Sequence, residues 1–282
     1  MQVNKNCAAG YPRTCADTAP RMGKIRDIYE ISEKELVLVT SDRISAFDKI
    51  LPKTIAGKGE ILNKLSLFWF EQTKKIVPNH VISSDLRTMP QFFQNNKFEN
   101  RTVLVKKLKI LPYEFIVRGY MFGHLWDEVG KNGEYKLAEK LKTPILTPST
   151  KSEKGDEYIT YEKMATEIGY SLASTIKEIC LRLYDFCYTH AYKKGIIIAD
   201  AKFEFGLDEN NNLILADEIF TPDSSRFWKL DEYEVGISPK SYDKQFLRDW
   251  LIANNKQFEN IPDEIYNQTA KIYAECIQKL TD

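Results

Sequence analysis

Between Ile196 and Arg226 the chain carries two apolar runs that lead into regularly placed charges. Ile196-Ile197-Ile198-Ala199 runs into Asp200, Lys202 and Glu204, and Leu213-Ile214-Leu215-Ala216 runs into Asp217. Asp208-Glu209-Asn210-Asn211-Asn212 between them is turn-forming, because Asn tolerates positive φ. The pattern predicts a β-hairpin. The strand period of 2 puts Asp200, Lys202 and Glu204 on one face. A turn centred on Asn210-Asn211 pairs Glu204 with Asp217 and Asp200 with Thr221. Facing carboxylates repel unless a cation lies between them. A divalent ion is one solution, and Mg²⁺ favours carboxylate oxygens together with substrate phosphates. Lys202 and Arg226 are nearby cations that would assist. A solvent-facing hairpin neutralised by Lys202 is the other solution. The pairing depends on turn length, since a one-residue slip sends every side chain to the opposite face.

Around this hairpin the pattern predicts an α+β chain. Residues 25 to 31 and 35 to 40 read as two strands about a polar turn, and 101 to 117 as two more divided at Leu111-Pro112. Gly59 opens a helix on Ile61, Leu62, Leu65, Phe68 and Trp69, and Pro78 closes it. The first lobe is therefore expected to be largely antiparallel. Residues 144 to 156, with two prolines, are expected to be loop. A helix is expected over 161 to 193, on a stripe from Met164 through Ile176 and Leu183 to Cys187, ended by Gly195. Two further helices are expected near 241 to 254 and 263 to 279.

Composition narrows the function. Of 282 residues, 43% are hydrophobic, enough for a core, and 40 basic residues balance 40 acidic ones. A net charge of 0 argues against a nucleic-acid-binding surface, and no apolar run is long enough for a membrane span. Five cysteines without metal-knuckle spacing predict a reducing compartment, hence a cytoplasmic protein. Several polar clusters suit a phosphorylated ligand. Gly23-Lys24-Ile25-Arg26 offers two cations on one side of an extended chain beside a glycine turn, though by itself a solvated basic turn is the favoured reading. Arg118-Gly119-Tyr120, Ser149-Thr150-Lys151 and Ser224-Ser225-Arg226 combine cations or hydroxyls with loop character. Lys107 and Glu114 flank a hairpin, either as a surface ion pair or near a nucleotide.

Taken together, the motifs GKIRDIYE (23–30), SDRISAFD (41–48), FIVRGYMFG (115–123), TPSTKSEKGD (147–156), IADAKFEFG (198–206), ADEIFTPDSSRFW (216–228) and DKQFLRDWL (243–251) resemble the SAICAR synthetase family. The resemblance runs in order over about residues 21 to 280. It implies an α+β fold whose antiparallel ATP-binding lobe is distantly similar to protein kinases, with a second α+β lobe and C-terminal helices. On that basis residues 1–20 are an unassigned extension, 21–117 the nucleotide-binding lobe, 118–240 a central lobe with the hairpin, and 241–282 a helical region packing on both. The implied activity is ATP-dependent joining of the carboxylate of 4-carboxyaminoimidazole ribonucleotide (CAIR) to the amine of L-aspartate, through an acyl phosphate, with Mg²⁺ accompanying ATP. An ATP-using small-molecule kinase, which would need no aspartate, and a non-catalytic nucleotide-binding protein are the competing readings. The resemblance implies Lys24, Arg26, Lys107 and Glu114 at the nucleotide, Glu204 and Asp217 at the metal, and Asp48, Asp200, Asp223 and Arg226 as catalytic candidates. Arg118, His124, Ser149, Thr150, Lys151, Lys244 and Arg248 are implied at the substrate, the last two one helical turn apart near the ribotide phosphate. His124 departs from the family pattern, which has Ser after RGYxxG. The expected partners are small molecules, with neither nucleic acid nor membrane, and no pattern selects an oligomeric state.

Overall fold

The computed structural model describes residues 19–47, 49–151 and 157–282. Asp48, most of the N-terminal extension and residues 152–156 lie outside the described residues. Strands β1 (Arg21–Met22), β2 (Arg26–Glu30) and β3 (Glu35–Thr40) are followed by the short pair β4 (Ser45–Ala46) and β5 (Lys49–Ile50), then helix α1 (Lys58–Thr73). Next come β6 (Val81–Ser83), β7 (Thr102–Lys106), β8 (Lys109–Ile110) and β9 (Tyr113–Tyr120), then α2 (His124–Glu128) and β10 (Lys140–Thr150). Helices α3 (Tyr161–Ile168) and α4 (Tyr170–Lys193) precede β11 (Ile196–Leu207), β12 (Leu213–Ala216) and β13 (Ser225–Lys229), and α5 (Gln245–Ala253) and α6 (Asp263–Thr281) end the chain.

Two antiparallel sheets carry the fold. The first has the order β1-β2-β3-β7-β6; the second runs β10-β9-β11-β12, with β13 and β8 also pairing to β11. Strand β9 belongs to the second sheet, so the change of sheet falls before Tyr113. The two sheets meet where His80 N–H donates to the Leu215 carbonyl and Leu215 N–H to that of Pro78, at 3.0 and 2.9 Å. One core runs through both parts: Leu62, Leu65 and Trp69 of α1 pack with Phe203, Leu215 and Phe220, and with Tyr273 and Leu280 of α6. Each such aromatic or leucine contributes roughly 1.5–3 kcal/mol by leaving water.

Local chemistry explains most boundaries. The Asp42 carboxylate accepts from Gly59 N–H at 2.9 Å and from Gly57 N–H at 3.4 Å, serving the orphan donors where α1 begins. A Cβ at Gly59 would lie 2.2 Å from the Thr40 carbonyl oxygen, so only glycine lets α1 sit this close to β3. The expected helix over 161–193 is two helices, because Gly169 takes φ 91° and ends α3. The expected loop over 144–156 is instead strand β10 as far as Thr150. That strand lies at the sheet edge, where Pro144 and Pro148 cost no ladder bond needed by a further neighbour.

The hairpin register also differs from expectation by one residue. Leu207 pairs with Leu213 and Glu204 with Ala216, not with Asp217. The intervening loop is stapled by the Asp208 carboxylate, which accepts from Asn210 N–H at 2.9 Å and Asn212 N–H at 2.8 Å, and this centres the loop on Asn210. Asp200 likewise pairs with Arg226 and Arg118 rather than Thr221, because β12 ends at Ala216 and β13 takes its place beside β11.

Candidate active site

Strand β11 is the axis of the site. Its odd residues, Ala199, Ala201, Phe203 and Phe205, are buried in apolar surroundings, whereas Asp200, Lys202 and Glu204 face polar partners. Two clusters form along this row.

The first lies toward the first sheet. Lys202 Nζ donates to Glu114 Oε1 at 2.7 Å and Glu204 Oε1 at 2.9 Å, and lies 4.0 Å from Asp217 Oδ2. Glu204 also accepts from Lys151, and Glu114 accepts from Ser149 Oγ at 3.4 Å. Asp217 reaches this point despite the shifted register because its backbone is left-handed, φ 63°, which breaks the strand alternation. Arg26 binds Asp217 at 2.5 Å and Glu218 at 3.3 Å. Burial alone would lower the Arg26 pKa, but the charges of Asp217 and Glu218 outweigh it and hold the guanidinium firmly protonated. His80, behind this cluster, is pushed down to about 3 by burial and by Arg26, so it is neutral at pH 7.

The second cluster lies at the other end of β11 and surrounds a cavity of about 150 Å³ lined by Arg118, Tyr158, Asp200, Asp223, Arg226 and Arg248 among others. Asp200 Oδ2 accepts from Arg226 Nη1 and, at 3.4 Å, from Arg118 Nη1. Arg118 Nε donates to Thr147 Oγ1 at 2.9 Å. Gly123 permits the approach of Arg226: a Cβ there would come within 2.8 Å of its Nη2. Asp223, 3% exposed, accepts from Lys58 Nζ at 2.7 Å and from Tyr273 OH at 2.7 Å, with Lys244 Nζ at 3.9 Å. Burial opposes ionisation of Asp223, but Lys58 and Lys244 prevail and hold it well below the usual carboxylate range. Lys244 itself is pulled down to about 8 by burial.

The profile of the SAICAR synthetase family matches residues 20–265. The chain is 47% identical over 277 residues to the phosphoribosylaminoimidazole-succinocarboxamide synthase of Lachnospira eligens, covering 92% of this chain and 93% of that one. The chain belongs to the SAICAR synthetase family. Membership makes it a carbon–nitrogen ligase of purine biosynthesis. Among solved structures, SAICAR-synthase from Saccharomyces cerevisiae complexed with SAICAR is 42% identical, with TM-score 0.84 over 93% of both chains. A SAICAR synthetase in complex with ADP is 25% identical, with TM-score 0.71 over 93% of this chain and 97% of that one.

For a SAICAR synthetase of this sequence, the row on β11 gathers most of the candidates. Arg26, Glu114, Ser149, Lys151, Glu204 and Asp217 meet around Lys202, and Arg118, Asp200, Asp223, Arg226, Lys244 and Arg248 around the cavity. Three candidates stand apart. Lys24 is exposed in the turn that Gly23 N–H closes onto the Arg26 carbonyl at 2.8 Å, so it is not on the strand that begins at Arg26. Lys107 pairs with Glu30 at the first sheet rather than with Glu114. Thr150 alternates away from Ser149, its hydroxyl meeting the Glu157 carbonyl at 3.4 Å. His124 stacks on Tyr158 with ring centroids 3.5 Å apart, and its Nε2 lies 2.9 Å from Glu128 Oε1.

Lys58, Thr147, Tyr158, Glu218 and Tyr273 complete the clusters without having been singled out by the sequence. Glu218 lay inside the motif at 216–228 and Lys58 directly before Gly59, but only packing reveals that their charges are buried. Among the described residues, no group of three or more His, Cys, Asp or Glu side chains is arranged to hold a metal ion unaided. The donor chemistry nevertheless suits magnesium. Hard oxygens of Glu204 and Asp217 both approach one cationic point, and phosphate oxygens are the usual complement to such a pair.

Proposed function

We propose that the enzyme couples CAIR to L-aspartate through an acyl phosphate formed by ATP. A CAIR carboxylate oxygen attacks the γ-phosphorus and ADP leaves. The aspartate amine then attacks the activated carbonyl, loses a proton, and phosphate departs carrying the former carboxylate oxygen. A carboxylate is a poor acyl donor, because it is anionic and has no leaving group, so activation must precede attack, and the protein's task is positioning and charge stabilisation.

The observation that carries this reading is the single row Asp200, Lys202, Glu204, which joins an acidic and lysine-rich cluster to an arginine-rich one. The first suits nucleotide phosphates. Glu204 and Asp217 would hold Mg²⁺, which supplies charge neutralisation on the triphosphate when bound. Lys202 and Lys151 would exchange their carboxylate partners for phosphate oxygens, and Arg26 orients Asp217. The second suits the ribotide. Arg118 and Arg226 bracket the carboxylate end, Lys244 and Arg248 receive the phosphate, and Asp200 accepts the proton released by the amine. Asp223, with both oxygens engaged, anchors the Ser224-Ser225-Arg226 segment. Lys24, Lys107, Thr150 and His124 are proposed as rim contacts to substrates. The reading includes a cytoplasmic location, supported by free thiols at Cys180, Cys187 and Cys276; no helix among the described residues is long and apolar enough to cross a membrane.

The test is CAIR labelled with ¹⁸O in its carboxylate, incubated with ATP, Mg²⁺ and L-aspartate. One labelled oxygen per turnover should appear in inorganic phosphate alongside SAICAR. Product formation with unlabelled phosphate would exclude the acyl phosphate.

A further inference from the structure

Lys58 opens α1, yet its side chain is 0% exposed. Its ammonium gives one bond to Asp223 Oδ2 at 2.7 Å and one to the Arg43 carbonyl at 2.9 Å. Tyr273 OH holds the other Asp223 oxygen at 2.7 Å. Lys244 Nζ stands 3.9 Å from that oxygen, beyond hydrogen-bonding range. One carboxylate is thus shared unequally between two buried lysines: it is bonded to Lys58 and merely near Lys244. Asp223 also lines the cavity that holds Arg226 and Arg248.

We infer that Lys58 is a positioning residue that neutralises Asp223 and so leaves Lys244 available to an anionic group of the ribotide. This deepens the proposed function, on which the assignment of Lys244 to the phosphate rests. Without Lys58, Asp223 is a buried carboxylate lacking its charged partner, and such a group seeks the nearest cation. That cation is Lys244. Closing 3.9 Å to contact would pair Lys244 with Asp223 and withdraw its positive charge from the substrate. Removing both Lys58 and Asp223 charges would restore the balance, because deleting a whole pair is better tolerated than deleting half of it.

The experiment uses the full chain as wild type, Lys58→Met, Asp223→Asn and Lys58→Met/Asp223→Asn. Binding of CAIR and of ADP is measured by calorimetry, with KM for each substrate and thermal melts alongside. Lys58→Met should weaken CAIR binding and raise its KM by about tenfold or more, comparable to losing one charge-assisted contact. ADP binding and the KM for ATP should stay within about twofold. The double variant should bind CAIR more tightly than Lys58→Met and about as tightly as Asp223→Asn alone. Equal losses for ADP and CAIR, unaltered CAIR binding in Lys58→Met, or a double variant no better than Lys58→Met would each overturn the inference. If Lys58→Met does not fold, the double variant decides: CAIR affinity equal to that of Asp223→Asn alone supports the inference and a further loss refutes it. A wild type that binds CAIR but forms no product would instead refute the ligase chemistry and leave the binding comparison intact.

Discussion

At Asp217 a single backbone torsion does the work of a strand position. The residue follows β12 in sequence, and strict alternation would carry its carboxylate away from Glu204. Its φ of 63° returns it to within 4.0 Å of Lys202, where Arg26 holds the other oxygen at 2.5 Å. Asp tolerates this conformation better than most residues, since its short side chain can bond locally. Asp217→Asn keeps the shape and removes the charge. Turnover should fall about 10²-fold or more, as for other losses of transition-state charge stabilisation, while the melting temperature changes little. Near-normal turnover across a magnesium titration would remove Asp217 from the nucleotide site. The sequence placed Glu204 and Asp217 together on the wrong pairing, because the length of a loop anchored by the Asp208 side chain is not visible in residue types alone.

Among the elements, the start of α1 connects the first sheet to the substrate cavity. The Asp42 carboxylate accepts from two amides at its start, those of Gly57 and Gly59, and Lys58, at its first position, reaches Asp223. Arg43, one residue on from Asp42, binds Asp27 at 2.6 Å and the carbonyls of Gly23 and Lys24 at 3.1 and 3.2 Å, fixing the turn before β2. The motif SDRISAFD is therefore a clamp between three elements as well as a candidate site segment. Asp42→Ala should cost about 0.5–2 kcal/mol, the usual range for a lost helix cap. Urea denaturation measures it, and an unchanged midpoint would show that water replaces the cap. The position of this helix was legible from Ile61, Leu62, Leu65, Phe68 and Trp69, and so were β2, β3, α4 and α6. Strand β10 was not legible, because prolines at an edge look the same in sequence as prolines in a loop.

Over the whole molecule, the main core, which runs from α1 through the second sheet to α6, buries charged groups and sets a pH dependence. Asp243 is fully buried, accepting from Phe227 N–H at 2.9 Å and Gln245 N–H at 2.7 Å, and burial pushes its carboxyl from 3.8 up to about 6. The folded chain therefore holds this proton more tightly than the unfolded chain. The resulting contribution to stability is fully present below the unfolded value of 3.8 and is lost as pH rises through about 6. Relative to Asp243→Asn, wild type should lose about 3 kcal/mol between these limits. Denaturant curves of both proteins at pH 4 and pH 7 give the difference, and a gap that does not change with pH would place the Asp243 carboxyl in a wet environment. The alternating charges of β11, the apolar stripes and the family motifs are local patterns, and the sequence by itself determined the α+β class, the hairpin and the family from them. The tertiary structure alone decided the register, the left-handed turn at Asp217 and the burial of Lys58 against Asp223. Each of these depends on groups more than a hundred residues apart, or on a loop closing around a side chain, and such contacts have free energies that exist only once the chain has packed.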